Sequence, residues 1–172
     1  VAISSITSTS ASSGGTITSD GLGSITAKGV VWSTSTQPTI ALSTKTSNGS
    51  GSSNFTSSIT GLAPVTKYYV RSYATNSGGT GYGAEVSFTT LAGLAVLTTS
   101  NATSITITSA ILGGEVTNEG GAAVTEKGVV WKTTSGPTVS DNKQATGTGL
   151  GAFTTSVTTL TRNTKYYVRT YA

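Results

Sequence analysis

The sequence predicts an all-β chain built as two tandem antiparallel β-sandwiches, the second lacking its last strand. Three observations carry this. Of 172 residues, 62 are Ser or Thr and 22 are Gly, with Val, Ile and Tyr adding bulk; this composition favours strands and turns. No segment carries an apolar stripe at helical spacing, so helix is expected to be absent or limited to one turn. The third observation is an internal repeat. Lys28-Gly29-Val30-Val31-Trp32 returns 99 residues later as Lys127-Gly128-Val129-Val130-Trp131. Gly14-Gly15 and Pro38 return at the same offset, and Thr66-Lys67-Tyr68-Tyr69-Val70-Arg71 returns at 98 as Thr164-Lys165-Tyr166-Tyr167-Val168-Arg169. A unit of that size is one ordinary domain.

The repeat gives the domain boundaries, 1–91 and 92–172. Residue 1 aligns with residue 100 and Ala172 with Ala74, so the chain reads as about one and three-quarter repeats, a window on a longer array. In the first repeat, alternation and turn residues predict strands near 3–9, 13–19, 25–34, 41–46, 54–60, 66–76 and 83–90. Turns fall at Asp20-Gly21, Gln37-Pro38, Asn48-Gly49, Gly61 to Pro64 and Asn76 to Gly81. Seven short strands at this spacing suit an antiparallel sandwich. Leu62 and Tyr68, six apart where a strand begins, fit a tyrosine corner, in which a core tyrosine bonds its hydroxyl to the backbone of the preceding turn. Leu160 and Tyr166 repeat it with Arg162 in place of Pro64; the bond needs no proline, so the corner is expected to survive with a looser turn.

Leu62 to Ala74 resembles the sixth strand of a fibronectin type III domain. The blocks 14–21, 27–34, 61–64, 68–76 and 81–90 resemble tandem Ig-like/fibronectin III-like repeats of very large secreted and cell-surface proteins of Bacteroidota-type bacteria. This resemblance implies stalks, adhesins, gliding-type surface proteins or spacers beside catalytic domains. Fibronectin modules usually carry a tryptophan on the second strand, whereas Trp32 falls on the third. No Arg-Gly-Asp occurs in the sixth-to-seventh loop, so integrin-style adhesion is not implied.

Composition excludes much chemistry. The chain has no His, Cys or Met, hence no Ser-His-Asp triad, thiolate nucleophile, disulfide, or His or Cys metal site. The carboxylates Asp20, Glu85, Glu115, Glu119, Glu126 and Asp141 show no repeated pair of the kind glycoside hydrolysis requires. The linker Thr89 to Leu97 has no carboxylate for calcium and is expected to run directly into the next strand. The glycine-rich stretches 48–53 and 147–151 lack a phosphate loop's lysine and helix. Neither cofactor nor metal is expected. The net charge of +4 comes from scattered basic residues, which argues against nucleic acid. No apolar run is long enough to span a bilayer as a helix.

The candidate contact surface comes from alternation. Lys28, Val30 and Trp32 share one face of their strand. A lysine inside a sandwich core costs several kcal/mol unless paired, so Trp32 is expected to face outward. There it would join Tyr69, Arg71 and Tyr73 of the sixth strand, with Trp131, Tyr167, Arg169 and Tyr171 repeating the cluster. Tyr68, Val70, Ser72 and Ala74 would face in. Such a cluster is either an aromatic platform for a sugar or a partner strand, or a cation–π stack shielding the sheet. The opposite parity, with Trp32 in the core as in antibody domains, stays open. The expected function is a non-catalytic extracellular or cell-surface repeat: a stalk, adhesin or filament-building module. The alternatives are a glycan-binding module and a spacer of a secreted carbohydrate-active enzyme. Expected partners are neighbouring repeats of the same or another copy, including by strand complementation at the second sandwich, and glycans.

Overall fold

A computed structural model describes all residues, Val1–Ala172, as twelve strands with no helix. The chain divides into unit one, Val1–Gly93, and unit two, Leu94–Ala172, a boundary two residues beyond the one the repeat suggests.

Unit one contains β1 (Ser10–Gly15), β2 (Ala27–Ser33), β3 (Phe55–Thr60), β4 (Lys67–Asn76), β5 (Gly79–Tyr82) and β6 (Val86–Thr89). β1 pairs antiparallel with β3, Gly15 opposite Phe55. β2 pairs with one edge of β4, Trp32 opposite Val70, and the other edge of β4 takes β5 and β6. Phe55, Ser57 and Ile59 of β3 point inward and alternate with exposed neighbours, the period of a half-buried strand. Between the sheets lie Ala11, Val30, Trp32, Phe55, Ile59, Leu62, Val70 and Phe88. Val30 and Ile59 are fully buried, each contributing about 1.5–3 kcal/mol by leaving water.

Unit two contains β7 (Val96–Thr99), β8 (Ala110–Asn118), β9 (Lys127–Lys132), β10 (Asn142–Gly147), β11 (Gly151–Val157) and β12 (Tyr167–Tyr171). One sheet runs β11-β8-β7 and the other β10-β9-β12. Ala110, Leu112, Val129, Trp131 and Val157 form its core.

Four predicted strands of unit one differ in extent. Segment 3–9 makes only an isolated bridge, Ser4 to Ser12, because Ser10 N–H donates to Thr7 Oγ1 (2.9 Å) and closes a turn before β1. The strand predicted at 13–19 is β1 and stops at Gly15; its counterpart β8 continues to Asn118 because β7 pairs with that extension. Segment 41–46 keeps one bridge, Lys45 to Val31. Here Val30 N–H donates to the Thr46 hydroxyl (3.0 Å) instead of a carbonyl, which breaks the ladder. The unit-two counterpart forms a full strand, β10, along β9. The strand predicted at 83–90 is β6 and begins only at Val86, because Gly83 N–H bonds Ser72 O (2.9 Å) outside the ladder; the turn expected at Asn76 to Gly81 is tighter, and β5 pairs back on β4 from Gly79.

Candidate functional site

The tryptophans are core residues. Trp32 is 9% exposed and Trp131 7%, and each packs within its own unit's apolar cluster. The expectation of an outward Trp32–Lys28 face, repeated by Trp131, is therefore corrected. Lys28 does share a face with Trp32, but that face is the inner one. Lys28 is 2% exposed and Lys127 6%.

The cost of burying these lysines is met by hydrogen bonding. Lys28 Nζ donates to Gly51 O (3.0 Å), Ser53 O (2.7 Å) and Ser53 Oγ (2.9 Å), using all three ammonium protons. Its charge also lies 5.8 Å from the centre of the Phe55 ring. Lys127 Nζ donates to Leu150 O (2.9 Å) and Gly151 O (3.2 Å) and lies 5.4 Å from the Phe153 ring. The four-carbon stem is thus a core residue, while the head caps carbonyls of a glycine-rich loop. The loops 48–53 and 147–151 supply those carbonyls, a role sequence reasoning missed. The signal available was the conjunction of a repeated in-facing lysine with a repeated glycine-rich loop.

The other candidates occupy the outer face of β4 and β12. Tyr69, Arg71 and Tyr73 lie opposite Ser33, Val31 and Gly29 of β2. Lys67 Nζ stands 5.1 Å over Tyr69, and the Arg71 guanidinium 4.4 Å over Tyr82. Tyr82 was not among the residues singled out, because it arrives from a different strand. Tyr73, expected as an outward contact, is instead 6% exposed, because its ring lies across Gly29, where an added Cβ would stand 2.9 Å from the ring and collide with the Thr46 carbonyl. Its hydroxyl donates to Thr46 O (2.6 Å). Burial, then the neighbouring Tyr82, raises its pKa.

Unit two repeats this with changes. Lys165 Nζ stands 4.8 Å over Tyr167, Arg169 is exposed, and Tyr171 crosses Gly128 as Tyr73 crosses Gly29. Tyr171 hydroxyl donates to Glu126 Oε1 (2.8 Å), which also pairs with Lys143 Nζ (3.0 Å). Burial, reinforced by the bond to Glu126, pushes Tyr171 up to about 12. The bonds from Lys143 and then Tyr171 lower the Glu126 pKa.

At the corners, Tyr68 hydroxyl accepts from Ala63 N–H (3.0 Å) and Tyr166 hydroxyl from Thr161 N–H (3.0 Å). Leu62 is buried in the first core, and Leu160 packs against the second. The distances are equal although one turn has Pro64 and the other Arg162.

In unit one, Phe88 of β6 stacks on Tyr68, centroids 5.9 Å apart. In unit two, the side of β12 away from β9 carries no strand. A cavity of about 160 Å³ opens there among Trp131, Tyr166, Val168, Leu160 and Ile105. Ile105 is 71% exposed, whereas its counterpart Ile6 packs against the unit-one core. No group of three or more His, Cys, Asp or Glu side chains is placed to hold a metal ion. No helix is long and apolar enough to cross a membrane.

No family model matches the chain, and no curated protein matches it. Among solved structures, the chain is similar to the FN1–FN3 domains of chicken CNTN1, a contactin, at 13% identity and a TM-score of 0.45. That alignment covers 98% of this chain and 58% of the contactin segment, so the chain spans less than two thirds of that structure. It is also similar to a two-domain fibronectin type III segment of chicken tenascin, at 15% identity and a TM-score of 0.42, covering 98% of this chain and 86% of that one.

Proposed function

We propose that this chain is a non-catalytic extracellular structural or adhesive repeat pair, of the stalk, adhesin or filament-building kind. One observation carries the reading: most side chains able to do chemistry are used by the scaffold, and in matching ways in both units. The tryptophans fill cores, the inner lysines cap loop carbonyls, and Tyr68 and Tyr166 close corners. A reactive site would spend such groups on a substrate instead. Low charge and the lack of Cys and Met suit life outside the cell, where sulfur oxidation is hard to repair. A large bacterial surface protein is the setting that the resemblance to tandem Ig-like/fibronectin III-like repeats implies.

The test is force spectroscopy of the chain held between handles. Two separate unfolding events are expected, with contour gains of about 32 nm for unit one and about 27 nm for unit two, from about 3.4 Å per extended residue. Release at forces too low to resolve would refute a load-bearing role. The outer face of β4 favours a second reading, glycan contact through Tyr69 and the Arg71–Tyr82 stack. Glycan binding lost in Tyr69→Ala and Arg71→Ala would select it.

A further inference from the structure

Positive charge on the outer face of β4 is not neutralised by the fold. Of the ten Lys and Arg side chains, several are committed elsewhere. Lys28 and Lys127 are buried on loop carbonyls. Lys132 and Lys143 pair with Asp141 and Glu126. Lys45 Nζ donates to Ile40 O (2.8 Å) and Leu42 O (2.7 Å). Of the remainder, Arg162 lies in the second corner turn. The others form two matched pairs: Lys67 and Arg71 on β4, Lys165 and Arg169 at the corresponding places in unit two. None of these four has a carboxylate within ion-pair distance.

Arg71 is held ready for an anion. Its guanidinium stands 4.4 Å over Tyr82, and its Nε donates to Gly83 O (3.3 Å). Tyr82 is itself pinned, since its hydroxyl accepts from Ile40 N–H (3.0 Å). These contacts fix the guanidinium and leave its two terminal nitrogens without a protein acceptor. That free fork is the part of arginine that binds a carboxylate or sulfate. Two residues earlier on the same face, Tyr69 carries the Lys67 ammonium 5.1 Å over its ring. The ammonium occupies ring surface on which a neutral sugar would stack, and presents a charge instead. Tyr69 lies between Ser33 of β2 and Ser87 of β6, whose hydroxyls can donate to and accept from sugar hydroxyls. Lys67 and Arg71 are four residues apart, about 14 Å along an extended strand, too far for one carboxylate to bridge. The pair therefore suits anionic groups on separate sugars of one chain. Nucleic acid fits less well: Lys67 and Arg71 already stack on Tyr69 and Tyr82, and Tyr73 is buried, which leaves no open aromatic platform for bases.

We propose that the outer face of β4 binds an acidic polysaccharide, one carrying carboxylate or sulfate groups on more than one sugar. The Arg71 fork takes one anionic group, Lys67 takes a second, and Ser33 and Ser87 bond the sugar hydroxyls between them. Unit two has the same cation–tyrosine–cation order in Lys165, Tyr167 and Arg169. This specificity rests on the glycan-contact reading of the same face and narrows it to acidic chains, with the tyrosines supporting cations instead of stacking on sugar.

The test is affinity electrophoresis of the full chain through native gels containing polygalacturonate, dextran sulfate, neutral dextran or neutral xylan. The two acidic polymers separate uronate from sulfate as the anionic group. Retention by at least one of them, and by neither neutral polymer, is expected. Arg71→Lys combined with Arg169→Lys keeps the net charge but removes both forks, and should weaken retention about fivefold or more. Lys67→Gln with Lys165→Gln should weaken it as well. Unchanged tryptophan fluorescence and melting show that these outer-face variants are folded. Undiminished retention of the doubly substituted arginine variant would reduce the face to bulk charge and overturn the proposal. So would displacement by single-stranded oligothymidylate as effective as displacement by free acidic polymer. Retention by a neutral polymer alone would overturn the acidic class and leave the glycan reading standing, whereas no retention in any gel would remove both.

Discussion

Replacing Lys28 by Met tests how the sandwich tolerates a charge at its inner rim. Methionine keeps much of the stem's length and removes the ammonium. Three charge-assisted hydrogen bonds are lost, each with a net worth of about 1.5–3 kcal/mol when fully made. Two effects reduce the sum. The ammonium no longer has to be desolvated, which returns several kcal/mol. The freed acceptors belong to Gly51 and Ser53, both exposed, so water can bond them again. The expected loss is about 1–2 kcal/mol. Lys127→Met, with two bonds to lose, should lose less. Lys28→Glu would aim a carboxylate at carbonyls and should lose about 3 kcal/mol or more. Each unit has one tryptophan, so urea unfolding followed by Trp32 fluorescence in a Trp131→Phe background reports unit one alone. With a slope near 1 kcal/mol per molar urea, Lys28→Met should lower the midpoint by about 1–2 M. An unchanged or raised midpoint would show that the ammonium contributes nothing net, and that apolar packing alone holds this rim.

Tyr68→Phe and Tyr166→Phe each remove the acceptor for a turn N–H and should each cost about 1 kcal/mol in thermal unfolding; a clearly larger loss in unit one would mean that Pro64 matters to the corner. Val65 holds φ at 47° and Asn163, its counterpart, at 54°, in the left-handed region that a β-branched residue resists. Val65→Asn should therefore stabilise unit one by about 0.5–1 kcal/mol and Asn163→Val should destabilise unit two, both read by calorimetry. Tyr171 is pushed up to about 12 from an ordinary 10.0. The folded state thus favours the protonated phenol, and this contribution is complete below pH 10 and lost as pH rises towards 12. Ultraviolet titration should show one late phenolate fewer in Tyr171→Phe than in the wild type, the raised Tyr73 phenol remaining in both. Glu126 is shifted the other way, so its contribution is present above the usual glutamate range and is lost as pH falls through it; Lys143→Met should flatten that acid limb.

Most of the architecture was legible because it rests on local period. Phe55-Thr56-Ser57-Ser58-Ile59 alternates and forms β3 with alternating burial. Tyr68, Val70, Ser72 and Ala74 lie on the inner side of β4, opposite Trp32, Val30 and Lys28. The Leu62–Tyr68 spacing forms the corner, with the hydroxyl on the Ala63 amide. Parity put Tyr69 and Arg71 on the outer side of β4, but Tyr73 on that side is buried, and the Lys28–Trp32 half was misread. Parity assigned Lys28 and Trp32 to one face correctly. The error was to price a buried lysine without its partners, which arrive from a loop more than twenty residues away.

The sequence by itself determined the repeat, the strand class, the shared faces and the absence of thiol and imidazole chemistry, since composition, period and spacing are local properties. Only the tertiary structure decided which face was inside, because that depends on whether Gly51 and Ser53 reach the Lys28 ammonium. It likewise decided that β7 lies along 114–118, a pairing between segments that no local pattern connects.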